Sequence, residues 1–154
     1  MEKTNVMRIL DSKNIEYQII DWTNKDLNKL QENYNKEKDG NILILKTLVT
    51  IAKSKDHYVF VIPINQELDL KLAAKVVNEK NIEMIHQKEL LPLTGYIHGG
   101  CSPIGMKKEF LTIFDESCLL YDNVIFSAGK IGISIQIKTS DITLVLDTKF
   151  SRLY

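Results

Sequence analysis

The sequence predicts one α+β domain over residues 1–154, a mixed, barrel-like β-sheet flanked by helices. Runs of Ile, Val, Leu and Thr with strand-like patterning crowd the middle of the chain, and apolar residues at helical spacing mark its edges and termini. No internal repeat or break in composition separates a second domain. A chain of 154 residues buries enough surface to hold a core without disulfide or metal staples.

In chain order, Val6, Ile9 and Leu10 recur at helical spacing, and Ile15, Tyr17 and Ile19 then alternate with polar neighbours up to Trp22, so a short helix leads into a strand. Residues 23–40 are crowded with Asn, Lys, Asp and Glu around Leu27, Leu30 and Tyr34, the pattern of an exposed helix and a mobile flap ending in a Lys-Asp-Gly turn. Ile42 to Ile51 and Tyr58 to Ile64 form a hairpin of two central strands turned at Lys53-Ser54-Lys55-Asp56. Leu68, Leu72, Ala73 and Val76 mark a helix opened by Glu67 and Asp69, whose charges suit the positive end of its dipole. A short strand at Ile82 to Ile85 and a short helix at Gln87 to Leu93 follow. Phe110 to Phe114, Val124 to Ser127 and Ile131 to Ile137 read as further strands, the last with Ile131, Ile133, Ile135 and Ile137 on one side, before a final helix around Asp141 to Leu146.

Lys plus Arg and Asp plus Glu each number 20, so no global positive field grips nucleic acid and any RNA contact must be local. Cys101 and Cys118 lack zinc-site spacing and need no disulfide, so no metal or cofactor is expected and a reducing cytoplasm fits. The polar start Met1-Glu2-Lys3-Thr4-Asn5 is unlike a secretory signal, and no apolar run reaches the roughly 18 residues of a membrane span. Nothing in the sequence requires a dimer.

Three places offer chemistry. Lys46 interrupts an apolar strand on the face of Ile42, Ile44 and Leu48, where an ammonium needs a carboxylate, a row of carbonyls or a bound anion unless it snorkels to water. The stretch Gly95 to Gly105 holds four glycines and a proline in eleven residues, which lets main-chain groups approach a ligand, although tight turns alone produce the same composition. Within it, His98 and Cys101 suggest a thiol nucleophile, but no orienting Asn or Asp follows from the spacing. Asp115-Glu116 could pair with Lys46 or Lys107 but reads better as a pair of surface carboxylates. Trp22 reads as a core residue unless exposed, where it could stack on a terminal adenine. Lys107-Lys108 suits RNA phosphate or plain solvent.

Lys46-Thr47-Leu48-Val49, Pro63 with Leu68-Asp69-Leu70-Lys71 and Ala73-Ala74-Lys75, Leu93-Thr94-Gly95-Tyr96, Gly99-Gly100-Cys101-Ser102-Pro103-Ile104-Gly105-Met106-Lys107-Lys108, and Ser127-Ala128-Gly129-Lys130 with Gly132 follow one another in an order and spacing that resembles the YbaK-type Cys-tRNA(Pro)/Cys-tRNA(Cys) deacylase family. That family is related to the editing domain of bacterial prolyl-tRNA synthetases, and the resemblance runs from the first helix through Asp147-Thr148-Lys149-Phe150. It implies a trans-editing enzyme that removes cysteine from aminoacylated tRNA. Lys46 would anchor the aminoacyl end, and Trp22, Thr47, Gly99, Gly100, Ser102 and Ser134 would form the substrate pocket. Lys107 and Lys108 would meet tRNA, and prolyl-tRNA synthetase would be a partner. No protein nucleophile is implied, because the substrate's thiol can attack its own ester. The chain departs from the family where Ser134 replaces an aspartate, Trp22 a tyrosine and Cys101 an aliphatic residue. Two rival readings are an Ala-tRNA(Pro) deacylase and a non-catalytic tRNA-binding module.

Overall fold

The computed structural model describes residues 2–23, 31–32 and 41–154. The exposed helix and mobile flap expected over 23–40 therefore lie, apart from Thr23, Gln31 and Glu32, outside the described residues.

Helix α1 (Asn5–Ser12) starts where the Thr4 side chain accepts the Met7 N–H, and it buries Val6, Met7 and Leu10. Strand β1 (Gln18–Asp21) follows, then the hairpin of β2 (Ile42–Ala52) and β3 (His57–Pro63). Helix α2 (Leu70–Val76) is capped by the Asp69 carboxylate, which accepts the Lys71 and Leu72 N–H groups. Strand β4 (Ile82–Met84), helix α3 (Gln87–Thr94) and strand β5 (Leu111–Asp115) lead through a 3-10 turn at Glu116–Leu120 into β6 (Asn123–Lys130) and β7 (Ile133–Lys138). The final helix is shorter than the sequence suggests: a 3-10 turn at Thr139–Asp141 runs into one helical turn, α4 (Ile142–Val145). Strand β8 (Thr148–Ser151), not foreseen, closes the order.

The eight strands form one mixed sheet in the order β1-β7-β6-β2-β3-β5-β8, with β4 also on β2. β2 is shared by two halves. Its start, Ile42 to Ile44, runs parallel to β6, whereas Leu45 to Ile51 pairs antiparallel with β3 and Thr50 to Ala52 with β4. Where β3 ends, the Gln31 side-chain amide continues the ladder, donating to Ile42 O and accepting from Ile44 N.

Strand alternation sorts the side chains between two faces. Leu43, Leu45 and Val49 of β2 join Val124, Phe126 and Ala128 of β6 and Ile133, Ile135 and Ile137 of β7 in the main core under α1. On the opposite face are two smaller clusters, one of Trp22, Ile42, Ile44 and Ile125, the other of Ala52, Phe60, Ile62, Ile113 and the α2 alanines, with Leu48 packed against it. Ile131 does not continue the Ile133, Ile135, Ile137 row. Gly132, at φ +80°, turns the chain between β6 and β7, and Ile131 is exposed on that tip.

Asp115 is not the surface carboxylate that the sequence suggests, but is buried at the end of β5. Its buried carboxylate accepts the Ser117 N–H and the Leu153 N–H, both at 2.9 Å, and so ties the C-terminal segment to β5. Asp115→Ala is expected to lower unfolding stability by about 3 kcal/mol, because the buried Leu153 donor and the partly buried Ser117 donor lose their acceptor. Urea unfolding of the two proteins measures it.

Candidate functional site

Lys46 lies on the face of the two smaller clusters, between Ile44 of one and Leu48 of the other, opposite the fully buried Ile62 of β3. It is partly buried, and no hydrogen bond or ion pair joins its ammonium to another described residue. The carboxylate and carbonyl partners that the sequence left open are therefore not found among the described residues. Asp115, one candidate, is committed to the C-terminal segment.

The surroundings of Lys46 follow from the way β2 changes partners. Ile44 and Ile125 are the last residues paired between β2 and β6, and on that edge β2 next pairs at Thr50 with β4. Between them, among the described residues, no strand covers the edge. Lys46 and Ser127 each stand two residues past the last pair, so both lie about 7 Å beyond it along their strands as these part. Ser127 pairs with Ser134, and Ser134 with Ile20, which packs on the Trp22 cluster. Cross-strand partners share a face, so Lys46, Ser127, Ser134 and Trp22 belong to one side of the sheet.

Trp22 is buried against Ile42, Ile44 and Ile125, and its main-chain N–H donates to Gly132 O at 2.7 Å. It is a wall of this region, and its burial rules out the exposed stacking platform. Thr47 behaves differently from Lys46. Alternation puts its side chain on the face of Leu45 and Val49, with a buried hydroxyl that has no hydrogen-bond partner among the described residues, so towards Lys46 it offers only main chain. Because Ile44 O serves the β3 side and Val49 O the β4 side, the Thr47 N–H and C=O point into the uncovered edge.

The Gly-rich segment is a pinned loop. Lys107 N donates to Thr94 O at its base, the Tyr96 hydroxyl donates across it to Ile104 O at 2.5 Å, and Gly100 N turns back to Ile97 O. Burial drives the Tyr96 pKa up to about 12, so this bond keeps its proton. The loop sits on the β6–β7 tip: a Cβ on Gly100 would lie 3.0 Å from Ile131 N and 3.2 Å from the Lys130 carbonyl carbon, and one on Gly129 (φ +90°) would lie 2.9 Å from the Tyr96 ring. Ser102 is buried, and its Oγ accepts the Ile104 N–H, so its side chain holds the loop's shape. Gly99 is exposed beside Ile131. Lys107 and Lys108 are exposed, with the Lys107 stem lying along Gly95.

The thiol nucleophile does not survive. Cys101 is buried in the main core and its pKa is pushed up to about 12 by desolvation, only partly offset by a hydrogen bond with Thr94, while His98 is exposed. Its position in the core also means that Cys101 changes packing and not the polarity near Lys46. Cys101→Ala is expected to leave catalytic rate within about twofold, measured side by side with the parent. Among the described residues no group of three or more His, Cys, Asp or Glu is placed to hold a metal ion, and no helix is long and apolar enough to cross a membrane.

An open groove of about 840 Å³ lies elsewhere, lined by Asp11, Tyr17, Gln18, Asn123, Gln136 and Lys138 among others. It contains none of Lys46, the Gly loop or Ser134, and it offers no converging catalytic groups. Volume by itself does not make a site, and a half-buried cation without a partner among the described residues, at a parting of two strands, is the stronger sign of one.

Residues 26–144 match the family model described as the aminoacyl-tRNA editing domain, and the chain belongs to that family. Over 156 aligned residues it is 40% identical to an Enterococcus faecalis protein named "Putative Cys-tRNA(Pro)/Cys-tRNA(Cys) deacylase EbsC", covering 99% of this chain and 93% of that one. Solved structures share the fold, two of them over nearly the whole chain. A hypothetical protein superposes with a TM-score of 0.81 at 16% identity, covering 97% of this chain and 99% of its own. A protein described as "a putative trans-editing enzyme for prolyl tRNA synthetase" superposes with a TM-score of 0.78 at 18% identity, covering 99% and 98%.

Proposed function

We propose that this protein is a trans-editing deacylase that removes cysteine from Cys-tRNA(Pro) and Cys-tRNA(Cys), with Lys46 as its central functional residue. As a member of the aminoacyl-tRNA editing domain family, it acts on aminoacylated tRNA. The observation that carries the reading of the site is the Lys46 ammonium, half-buried and without a described partner where β2 and β6 part. Such a cation is stabilised by an incoming phosphate or by charge developing on an ester carbonyl oxygen. The name of the Enterococcus relative supports cysteine as the amino acid.

The absence of an activated thiol at Cys101 agrees with chemistry carried by the substrate. In that step the cysteinyl sulfur attacks its own ester carbonyl, a C–S bond forms, the ester C–O bond breaks, and the thiol proton ends on the ribose oxygen of the released tRNA. The reaction is intramolecular, so the protein's task is to hold the aminoacyl group folded and stabilise the oxyanion. Lys46 supplies charge; the Thr47 main chain and the Gly99-Gly100 segment border the group; Trp22, Ser134 and the loop-holding Ser102 shape its surroundings. Lys107 and Lys108 hold phosphate, and prolyl-tRNA synthetase supplies further grip on tRNA in the cytoplasm.

Incubating the protein with Cys-tRNA(Pro), Cys-tRNA(Cys) and Ala-tRNA(Pro) tests this. Loss of ester confined to the two cysteinyl substrates is the expected result. Preferential loss from Ala-tRNA(Pro) would make it an alanine editor, and tRNA binding with no loss from any substrate would make it a binding module.

A further inference from the structure

Two large apolar side chains stand exposed beside the Gly loop, Ile97 at 48% and Ile131 at 57% of full exposure. They belong to one surface. Gly100 N closes a turn onto Ile97 O, and both glycines of that turn lie against Ile131: a Cβ on Gly99 would be 3.8 Å from Ile131 Cγ1 and one on Gly100 3.5 Å. Cations flank this pair on two sides. Lys130 precedes Ile131 and is exposed, and Lys107 lies along Gly95, two residues before Ile97. Asp21 feels the Lys130 charge but is bonded chiefly to Thr23. An apolar platform between cations, in a chain with no net charge, is complementary to an unpaired nucleotide end, whose bases have apolar faces and whose phosphates are anionic.

We infer that Ile97 and Ile131 form the seat for the terminal base of the tRNA acceptor end, with Lys130 holding the adjoining phosphate. The inference rests on the deacylase reading, because the aminoacyl ester is attached to that terminal nucleotide and the seat adjoins the Lys46 region through β6, Ser127 being three residues from Lys130. Seating the base brings the acceptor end to the Lys46 region. The interaction is the same before and after the ester breaks, so it acts on binding and leaves the chemical step alone.

The test uses Ile97→Ser/Ile131→Ser, with Lys130→Ala beside it, and two readouts. One is the fluorescence of deacylated tRNA(Pro) carrying 2-aminopurine in place of the terminal adenosine, which brightens when that base leaves its stack. The other is steady-state deacylation of Cys-tRNA(Pro). The parent protein is expected to give a fluorescence rise. The double isoleucine variant should bind about tenfold more weakly, with KM raised by a similar factor and kcat within about twofold. Both isoleucines are exposed, so the thermal midpoint should not move. A parent that turns over Cys-tRNA(Pro) while the double variant matches it in fluorescence and KM overturns the seat and leaves the deacylase reading standing. A parent that shows the isoleucine-dependent fluorescence but cleaves no ester overturns the deacylase reading and leaves the seat standing.

Discussion

Lys46→Ala is expected to slow cysteine release from Cys-tRNA(Pro) by at least about a hundredfold, the effect of removing a donor aimed at a developing oxyanion. The same substitution should leave stability unchanged or slightly raised. An ammonium flanked by Ile44 and Leu48 and facing Ile62 makes no hydrogen bond or ion pair with a described residue that alanine would lose, and relief of its partial desolvation offsets the lost packing of its stem. A structural lysine would give the reverse pattern, with stability falling alongside rate. Single-turnover deacylation and thermal unfolding, measured on the same preparations, separate the two.

The second large effect is expected at Gly100. An added Cβ meets the main chain at Ile131 N and Lys130 C, and main chain cannot swing aside as a side chain does. Gly100→Ala should therefore lift the loop from the β6–β7 tip and lower kcat/KM about tenfold or more, at a cost in stability of about 1–3 kcal/mol. The loop's other contacts, Lys107 N to Thr94 O and Tyr96 to Ile104 O, stay in place and keep the domain folded. Parental kcat/KM in this variant would mean that the loop's close approach to the tip plays no part in the reaction.

Much of this was legible in the chain. Alternation alone put Lys46 on the face of Ile42, Ile44 and Leu48, and the same rule, followed one residue further, puts the Thr47 side chain on the other face. The Gly-rich loop, the β2–β3 hairpin and α2 were equally plain, although Asp69 was legible only as a charge suited to the helix dipole and not as the cap. What was hidden depends on residues distant in sequence. β8 has too little pattern in Thr148–Ser151 to read as a strand and exists because β5 offers it an edge. The parting of β2 from β6 is a property of partners, not of either strand's sequence. Trp22 could stack or pack on its own merits, and only the cluster with Ile125 decides for packing. Ile131 looked like the first member of a buried row until the turn at Gly132 carried it to the surface beside the loop.

The central claim, that the substrate's thiol performs the cleavage while Lys46 and the loop hold the ester in place, is tested most directly by blocking that thiol. Cys-tRNA(Pro) and the same tRNA charged with S-methylcysteine are incubated with the parent protein, and loss of each ester is followed over time. Rapid loss of cysteine with the S-methylcysteinyl ester left at its spontaneous rate is the result expected. Equal loss of both would contradict it and assign the attack to water.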